Sequence, residues 1–521
     1  MENLVIFIPL LPLLAASCIG VLHLFDILEG EKSERITARI AQTSIALSCL
    51  LALVLLGTDL FAKNNDVFIV GEWLKVNDLS IQIRFFTHGF SVKLAALFSI
   101  LLFIVTRFAV NYMHREAGFH RFFFILSLFS AAMLMLVLSA NAVGTFVGWE
   151  IAGLCSYLLI GYMYDRQTAT QNATRVFITN RIGDAGFIAG IGLSYLWVGN
   201  TNWLEIGNNL AGQLSNQQAE LCALCFALAA FVKSAQLPFS PWLARAMEGP
   251  TPSSAIFYGS VMIHAGVYLL FLIQPLLAHA PLVSTLIAIV GLLTAIYATV
   301  VGLTQTDIKS SLIFATSGQL GLLFLECGLG FWELASWHIA AHATVRAYQL
   351  LTAPSLLVNI ANNPIKPVNA YLAKNTRFYT YALQRFWLEP LTDLIIVKPV
   401  QRLAGDLNYF DKHILDKLMG SPAPAIRAVS SLAQAEEQKI GAHLNNTDDS
   451  FAQGSGLAGC VTQWSAACLH WFEESFVLRG VSKDAIDYGR HLGRIANQIE
   501  LMLLKPRYLA LFVFITLLVA F

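Results

Sequence analysis

Residues 281–303 read PLVSTLIAIVGLLTAIYATVVGL, without a single Asp, Glu, Lys or Arg. An α-helix rises about 1.5 Å per residue, so roughly 20 such residues cross the ~30 Å hydrocarbon core of a bilayer. Working outward, comparable apolar stretches occupy 3–25, 38–61, 88–112, 119–138, 142–163, 174–198, 219–237, 253–275, 310–329 and 332–353, and a last one lies at 506–521. The sequence therefore predicts an all-α integral membrane protein of about 12 transmembrane helices.

The composition agrees. Of 521 residues, 56% are apolar and only 13% charged, and 33 Lys and Arg balance 33 Asp and Glu. Soluble chains carry about 25% charge, so too few polar residues are present to coat a water-facing globule. With no net positive charge, phosphate binding by counterion release is disfavoured, which excludes a nucleic-acid binder. Lys and Arg in the short loops fall nine to three in favour of an external N-terminus, with Lys32, Arg115, Arg175 and Arg245 inside and Lys63, Lys75 and Arg84 outside. The first stretch is too long for a signal's apolar region and lacks a basic lead, so it reads as a retained helix. The eight cysteines are scattered, and Cys222 and Cys225 sit in an apolar span where packing explains them better than redox or metal chemistry.

Between the spans, 66–84 alternates apolar and polar residues around Asn77-Asp78 and reads as an external β-hairpin. Beyond 355 the hydropathy collapses, and about 150 residues on the inner side precede the final anchor. Within them Val400, Leu403, Leu407, Phe410, Ile414 and Leu418 recur at helical spacing, an amphipathic face suited to the membrane surface or a partner subunit. Tyr488, Leu492, Ile495, Ile499 and Met502 repeat the pattern, and 421–456 reads as a flexible connector.

Ionisable groups at membrane depth cost several kcal/mol and mark functional sites. Glu150 lies in the fifth span, and Arg181 and Asp184 share one face of the sixth at i, i+3. Lys233 stands five residues before Pro238, with Pro241 beyond, so its helix is expected to break just past it. Broken helices at the midplane are typical of ion sites. A lysine there can exchange a proton as its carboxylate partner moves, although snorkelling or static pairing would also account for it. Pro250 and Pro252 mark a second break before His264, which on an apolar helix can equally be a packing residue. His338, His342 and Arg346 are spaced four apart and line one face over about 12 Å, a pattern suited to proton relay. Two histidines at that spacing can also ligate zinc, but no third ligand is evident nearby. No phosphate-binding loop, dinucleotide fingerprint or iron–sulfur cysteine cluster occurs. Gly186 and Gly190 form a Gly-x-x-x-Gly suited to close helix packing.

These motifs assemble into a recognisable set: FVGWEIAGLCSYLLIG at 146–161, Asn180-Arg181-Ile182-Gly183-Asp184, Lys233-Ser234-Ala235-Gln236-Leu237-Pro238, Glu248-Gly249-Pro250-Thr251-Pro252, Gln305-Thr306-Asp307-Ile308-Lys309 and the His338–His342 pair. They resemble the proton-translocating antiporter-like subunits of respiratory complex I and Mrp antiporters over most of 85–353. The resemblance implies inverted repeats, the first at 118–275 and a truncated second at 281–353, after N-terminal helices at 1–117. It implies that Glu150 and Lys233 are the coupled carboxylate and lysine of a half-channel, that Asp184 supports them, and that His338 and His342 form a central relay, with Arg181, His264, Arg346 and Lys309 along the cation path. Departures accompany it: Tyr258 stands where the family has histidine, Arg346 where it has lysine, and the later helices give way to 365–505 and the anchor at 506–521. In this shortened form the chain resembles the DabB membrane subunits of bacterial inorganic-carbon accumulation complexes more than an ordinary respiratory subunit. That likeness implies a multi-pass protein of the bacterial inner membrane with its large C-terminal segment cytoplasmic. It further implies H+ or Na+ flow that energises a soluble DabA-like partner related to zinc β-carbonic anhydrases, with zinc in the partner and no cofactor in this chain.

Overall fold

The computed structural model describes residues 2–61, 67–76, 79–208, 214–305, 307–353 and 374–411, with Trp464. Long helices dominate: α1 Phe7–Leu24, α2 Gly30–Phe61, α3 Phe90–Tyr112, α4 Phe119–Leu138, α5 Ala142–Ile160, α6 Gln167–Val198 and α7 Asn216–Lys233. They continue with the interrupted α8 Thr251–Leu272, then α9 Pro281–Gly302, α10 Ile308–Gly328 and α11 Trp332–Thr352. Each of the eleven spans expected before residue 355 is thus a helix, and the chain is a multi-pass membrane protein. Eight helices among the described residues are long and apolar enough to cross a bilayer by length and composition. The others, α6, α7 and α11, carry Arg181, Asp184, Lys233, His338, His342 and Arg346.

Helix ends follow local chemistry. Asn141 caps α5 by accepting from the Gly144 amide at 2.5 Å, Ser215 and Gln218 form a capping box on α7, and Asp307 caps α10 by accepting from Ser310 N at 2.8 Å. The Gly-x-x-x-Gly of α6 packs against α7 as expected: a methyl on Gly186 would lie 2.8 Å from the Cys225 carbonyl oxygen, and one on Gly190 2.8 Å from the Phe226 ring.

The hairpin forms from β1 Val67–Val76 and β2 Leu79–Phe86, antiparallel with Val67 opposite Phe86 and Lys75 opposite Ser80. Its β2 edge is tied to the start of α5, where Ala140 N donates to Arg84 O at 2.9 Å and the Asn141 amide donates to Gln82 O. After 353 the described chain resumes with α12 Thr376–Leu383 and α13 Leu388–Thr392. Arg385 lies 5.3 Å over the Phe314 ring, and Glu389 pairs with Arg175 and Arg245.

A second unit begins at Asp393. It contains α14 Lys398–Phe410, whose Leu403 and Leu407 are exposed as the amphipathic reading expects. Ile414, Leu418, the 421–456 connector, the 488–502 stretch, the 506–521 anchor and the Asn77-Asp78 turn lie outside the described residues.

Candidate ion-translocation site

Lys233 is the last residue of α7, and the helix breaks directly after it as the prolines predict. Ala235 adopts φ 52°, and a short helix, Pro241–Arg245, restarts the chain. The backbone groups freed by the break find partners. Trp242 Nε1 donates to Val232 O at 2.8 Å, and Leu237 N donates to Thr294 Oγ1 at 3.0 Å. Lys233 itself is 1% exposed. Its ammonium donates to the Trp149 carbonyl at 3.1 Å and sits 4.9 Å over the Trp149 ring.

Arg181 occupies the centre of this cluster. Its guanidinium bonds Glu150 at 2.5 Å and Asp184 at 2.8 Å, the second being the i, i+3 pair expected on α6. Asp184 also accepts from Trp149 Nε1 at 2.8 Å. The structure brings Glu150 and Lys233 into one cluster with no direct bond between them: the carboxylate is held by arginine, and the lysine reaches the backbone one residue before it. A small cavity with room for about one water adjoins them, lined by Gly153, Ser156, Asn180, Arg181, Lys233 and Met262. Ser156 also lies 3.3 Å from the Tyr258 hydroxyl, so tyrosine at this position faces the same cluster.

Pro250 and Pro252 stand at the start of α8. The interruption of α8 falls further on, in a π-turn at Ala255–Ser260 and a 3-10 turn at Met262–His264, where no proline occurs. The wide turn brings His264 out of register and against α11, with Nε2 2.9 Å from His342 Nδ1. His264 thus packs against the His338–His342 face of α11. Ser234, next to Lys233, donates to Ile263 O at 2.7 Å and joins the two clusters through adjacent residues.

Arg346 Nε donates to His342 Nε2 at 3.4 Å, and Arg346 Nη1 donates to Gln349 at 2.8 Å. Because arginine does not give up its proton, this contact fixes the tautomers in turn. His342 accepts at Nε2, donates from Nδ1 to His264 Nε2, and leaves the His264 proton on Nδ1. That buried Nδ1 has no hydrogen-bond partner among the described residues. Lys309 stands apart from the row, in the first turn of α10, where it donates to Thr251 Oγ1 at 2.8 Å.

His338 brings in a residue that sequence reasoning passed over. Its Nδ1 lies 2.9 and 3.1 Å from the two carboxylate oxygens of Glu326 on α10, and its Nε2 lies 2.9 Å from Gln319 Oε1. The rule that singled out Glu150 applies equally to Glu326, the one acidic residue within Ile308–Gly328. Among the described residues no group of three or more His, Cys, Asp or Glu is arranged to hold a metal ion.

Comparison with known proteins places this geometry in context. Residues 139–384 match the family model for the NADH:quinone oxidoreductase/Mrp antiporter transmembrane region, and 73–123 match the complex I chain 5 N-terminus. The chain is 34% identical over 381 residues to the chloroplastic NAD(P)H-quinone oxidoreductase subunit 5 of Zygnema circumcarinatum, covering 72% of this chain and 53% of that protein. It is 33% identical over 379 residues to NAD(P)H-quinone oxidoreductase chain 5 of a Picosynechococcus species, covering 71% and 56%. It therefore spans about half the length of the curated relatives it matches. Among solved structures, the Mrp complex from a Dietzia species superposes with a TM-score of 0.57 at 27% identity over 65% of this chain and 37% of that one. A chain of the membrane-bound sulfane sulfur reductase, an archaeal respiratory membrane complex, has the same fold, with a TM-score of 0.60 at 18% identity over 67% and 70%.

Proposed function

Taking as premise that the chain belongs to the superfamily of antiporter-like membrane subunits of complex I and Mrp type, we propose that it carries a cation, H+ or Na+, across the membrane, and that this flow energises CO2/bicarbonate accumulation by a DabA-like, zinc carbonic-anhydrase-related partner. The observation that carries conduction is the fully buried Lys233 at a helix break, within one residue of a carboxylate that an arginine holds in place. An ammonium at membrane depth is costly, and groups kept there at that cost mark ion paths. In this reading the charge on Lys233 changes as the Glu150–Arg181–Asp184 group rearranges, and the adjoining Ser234 contact passes the change to the Ile263 carbonyl, one residue before His264.

The coupling to inorganic carbon is supported by the departures from the respiratory pattern: arginine at 346 in place of lysine, and the loss of hydropathy after residue 353. Moving one charge through 100 mV is worth about 2.3 kcal/mol, enough for one or two ions to bias a hydration equilibrium strongly. A second reading is a proton-pumping subunit in a complex I relative or an Mrp-type antiporter. The names of the relatives at 33–34% identity favour it.

Both readings require partner subunits, and we place one against Leu403, Leu407 and Phe410 of α14, of which Leu403 and Leu407 are exposed, with Ile414 at the next position of the same sequence pattern. Purification of the tagged chain in mild detergent, with partners identified by mass spectrometry and zinc by elemental analysis, separates them. One large zinc-containing partner supports carbon coupling. Flavin and iron–sulfur subunits, or a set of small membrane subunits, support the second reading. Lys233→Ala and Glu150→Gln are expected to abolish inorganic-carbon uptake by the complex, and full uptake in both variants would overturn the first reading.

A further inference from the structure

The geometry points to Glu326 as a proton-exchanging carboxylate through which the histidine row meets the membrane surface. This rests on the reading above that the chain conducts protons, and goes beyond it by assigning the end of the route.

Depth is the first argument. At about 1.5 Å per residue, Glu326 lies about 3 Å from the C-terminal end of α10 at Gly328. The turn at 329–331 joins that end to the start of α11 at Trp332, so His338 lies about 9 Å in, His342 about 15 Å and Arg346 about 21 Å. The row thus descends from the surface near Glu326 to mid-membrane at His342. Glu326 and His338 each keep about one sixth of their side-chain surface exposed, at 15% and 17%, whereas His342 and His264 are buried.

Partner chemistry is the second argument. Arg346 does not deprotonate, so a proton on His342 cannot continue deeper through it. The remaining imidazole is His338, whose ring centroid is 6.1 Å from that of His342, close enough for one ring turn or one water to bridge the edges. The surroundings of His338 suit both of its protonation states. A carboxylate accepts from Nδ1–H in each, and the Gln319 amide accepts from Nε2–H in its present orientation or donates to a bare Nε2 when turned over. In the transfer the Nδ1–H bond of the His338 imidazolium breaks with its electron pair staying on nitrogen and an O–H bond forms at Glu326, leaving a neutral ring that donates from Nε2–H to Gln319 and accepts at Nδ1 from the new carboxyl O–H. Water at the surface then takes the proton, and the reverse sequence loads it. No redox partner is involved.

Glutamine tests this cleanly, because its carbonyl oxygen still accepts from His338 while it cannot be protonated at neutral pH. In the intact complex reconstituted into vesicles with a pH-sensitive dye, Glu326→Gln is expected to cut proton flux about a hundredfold, within the range that general acid–base groups contribute. Glu326→Asp should recover a substantial part, and Lys233→Ala should be inactive. Wild-type flux in Glu326→Gln beside an inactive Lys233→Ala overturns the assignment and leaves conduction standing. Wild-type flux in Lys233→Ala removes the conduction reading itself. Should Glu326→Gln fail to assemble, treatment of the wild-type complex with a hydrophobic carbodiimide decides, since that reagent modifies protonated carboxyl groups. A peptide adduct at Glu326 accompanied by loss of flux supports the assignment. An adduct without loss, or no adduct at Glu326, overturns it.

Discussion

Around Lys233 two carboxylates, Glu150 and Asp184, share one guanidinium, whereas beside the histidines of α11 one carboxylate from α10, Glu326, faces an imidazole. In the first cluster the arginine is central. It cannot release its proton, so it pins both acids and leaves Lys233 as the group whose charge can change. In the second cluster the arginine is terminal. Arg346 fixes the tautomers of His342 and His264 from one end and leaves the other end, at His338 and Glu326, free to exchange. The same residue type therefore acts as a clamp where it sits between acids and as a stop where it ends a row of histidines.

The comparison breaks most visibly at Arg181. Arg181→Ala leaves Glu150 and Asp184 facing one another with the nearest cation gone, a like-charge pair in a poorly hydrated site. Proton flux is expected to fall about a hundredfold, and the thermal midpoint of the complex by several degrees. Arg181→Lys should recover stability more than flux, because a point-like ammonium cannot bridge two carboxylates as a planar fork does. Undiminished flux in Arg181→Ala would mean that the clamp plays no part in conduction.

Arg346→Ala sharpens the other half. Without the Nε–H donor, His342 is free to carry its proton on either nitrogen, and His264 follows. Nitrogen-15 spectra of labelled histidines should show a single His342 tautomer, protonated at Nδ1, in the wild type and a mixture in the variant. Flux should change severalfold. A mixture already present in the wild type would show that the 3.4 Å contact does not order the row.

Much of this was legible in the sequence, for identifiable reasons. Each apolar stretch before residue 355 became a helix because the bilayer leaves the backbone no other partner than itself. The Arg181–Asp184 pair is local, set by helical spacing, and the break after Lys233 is written in Pro238 and Pro241. The interruption of α8 was not legible. Residues 255–264 read as ordinary apolar helix, and the π-turn at Ala255–Ser260 forms where Gly259 packs closely on Leu350 of α11, a contact between residues far apart in sequence. The His264–His342 contact joins residues 78 apart, which no periodicity on one helix can reveal. Glu326 was legible in principle, because a lone acid in an apolar span is as conspicuous as Glu150. Its role became readable only when α10 was seen to face His338.

The smallest expected effect is the most discriminating, because stability and conduction should move in opposite directions. Gly153 lies on α5 opposite both cations, and a methyl group there would sit 3.3 Å from Lys233 Nζ and 3.5 Å from Arg181 Nη2. Those distances require a shift of only a few tenths of an ångström from the ends of two flexible side chains, so Gly153→Ala should fold. Alanine in a helix interior is favoured over glycine by roughly 1 kcal/mol, so the thermal midpoint should hold or rise. The same methyl occupies the water-sized cavity shared by Lys233, Arg181 and Ser156, removing the polar contact that a charge on Lys233 would use while it moves. Proton flux should fall severalfold as stability holds. If flux is unchanged with the cavity filled, the path past Lys233 does not run through that water, and the exchange with Glu150 must proceed along the Trp149 side of the cluster.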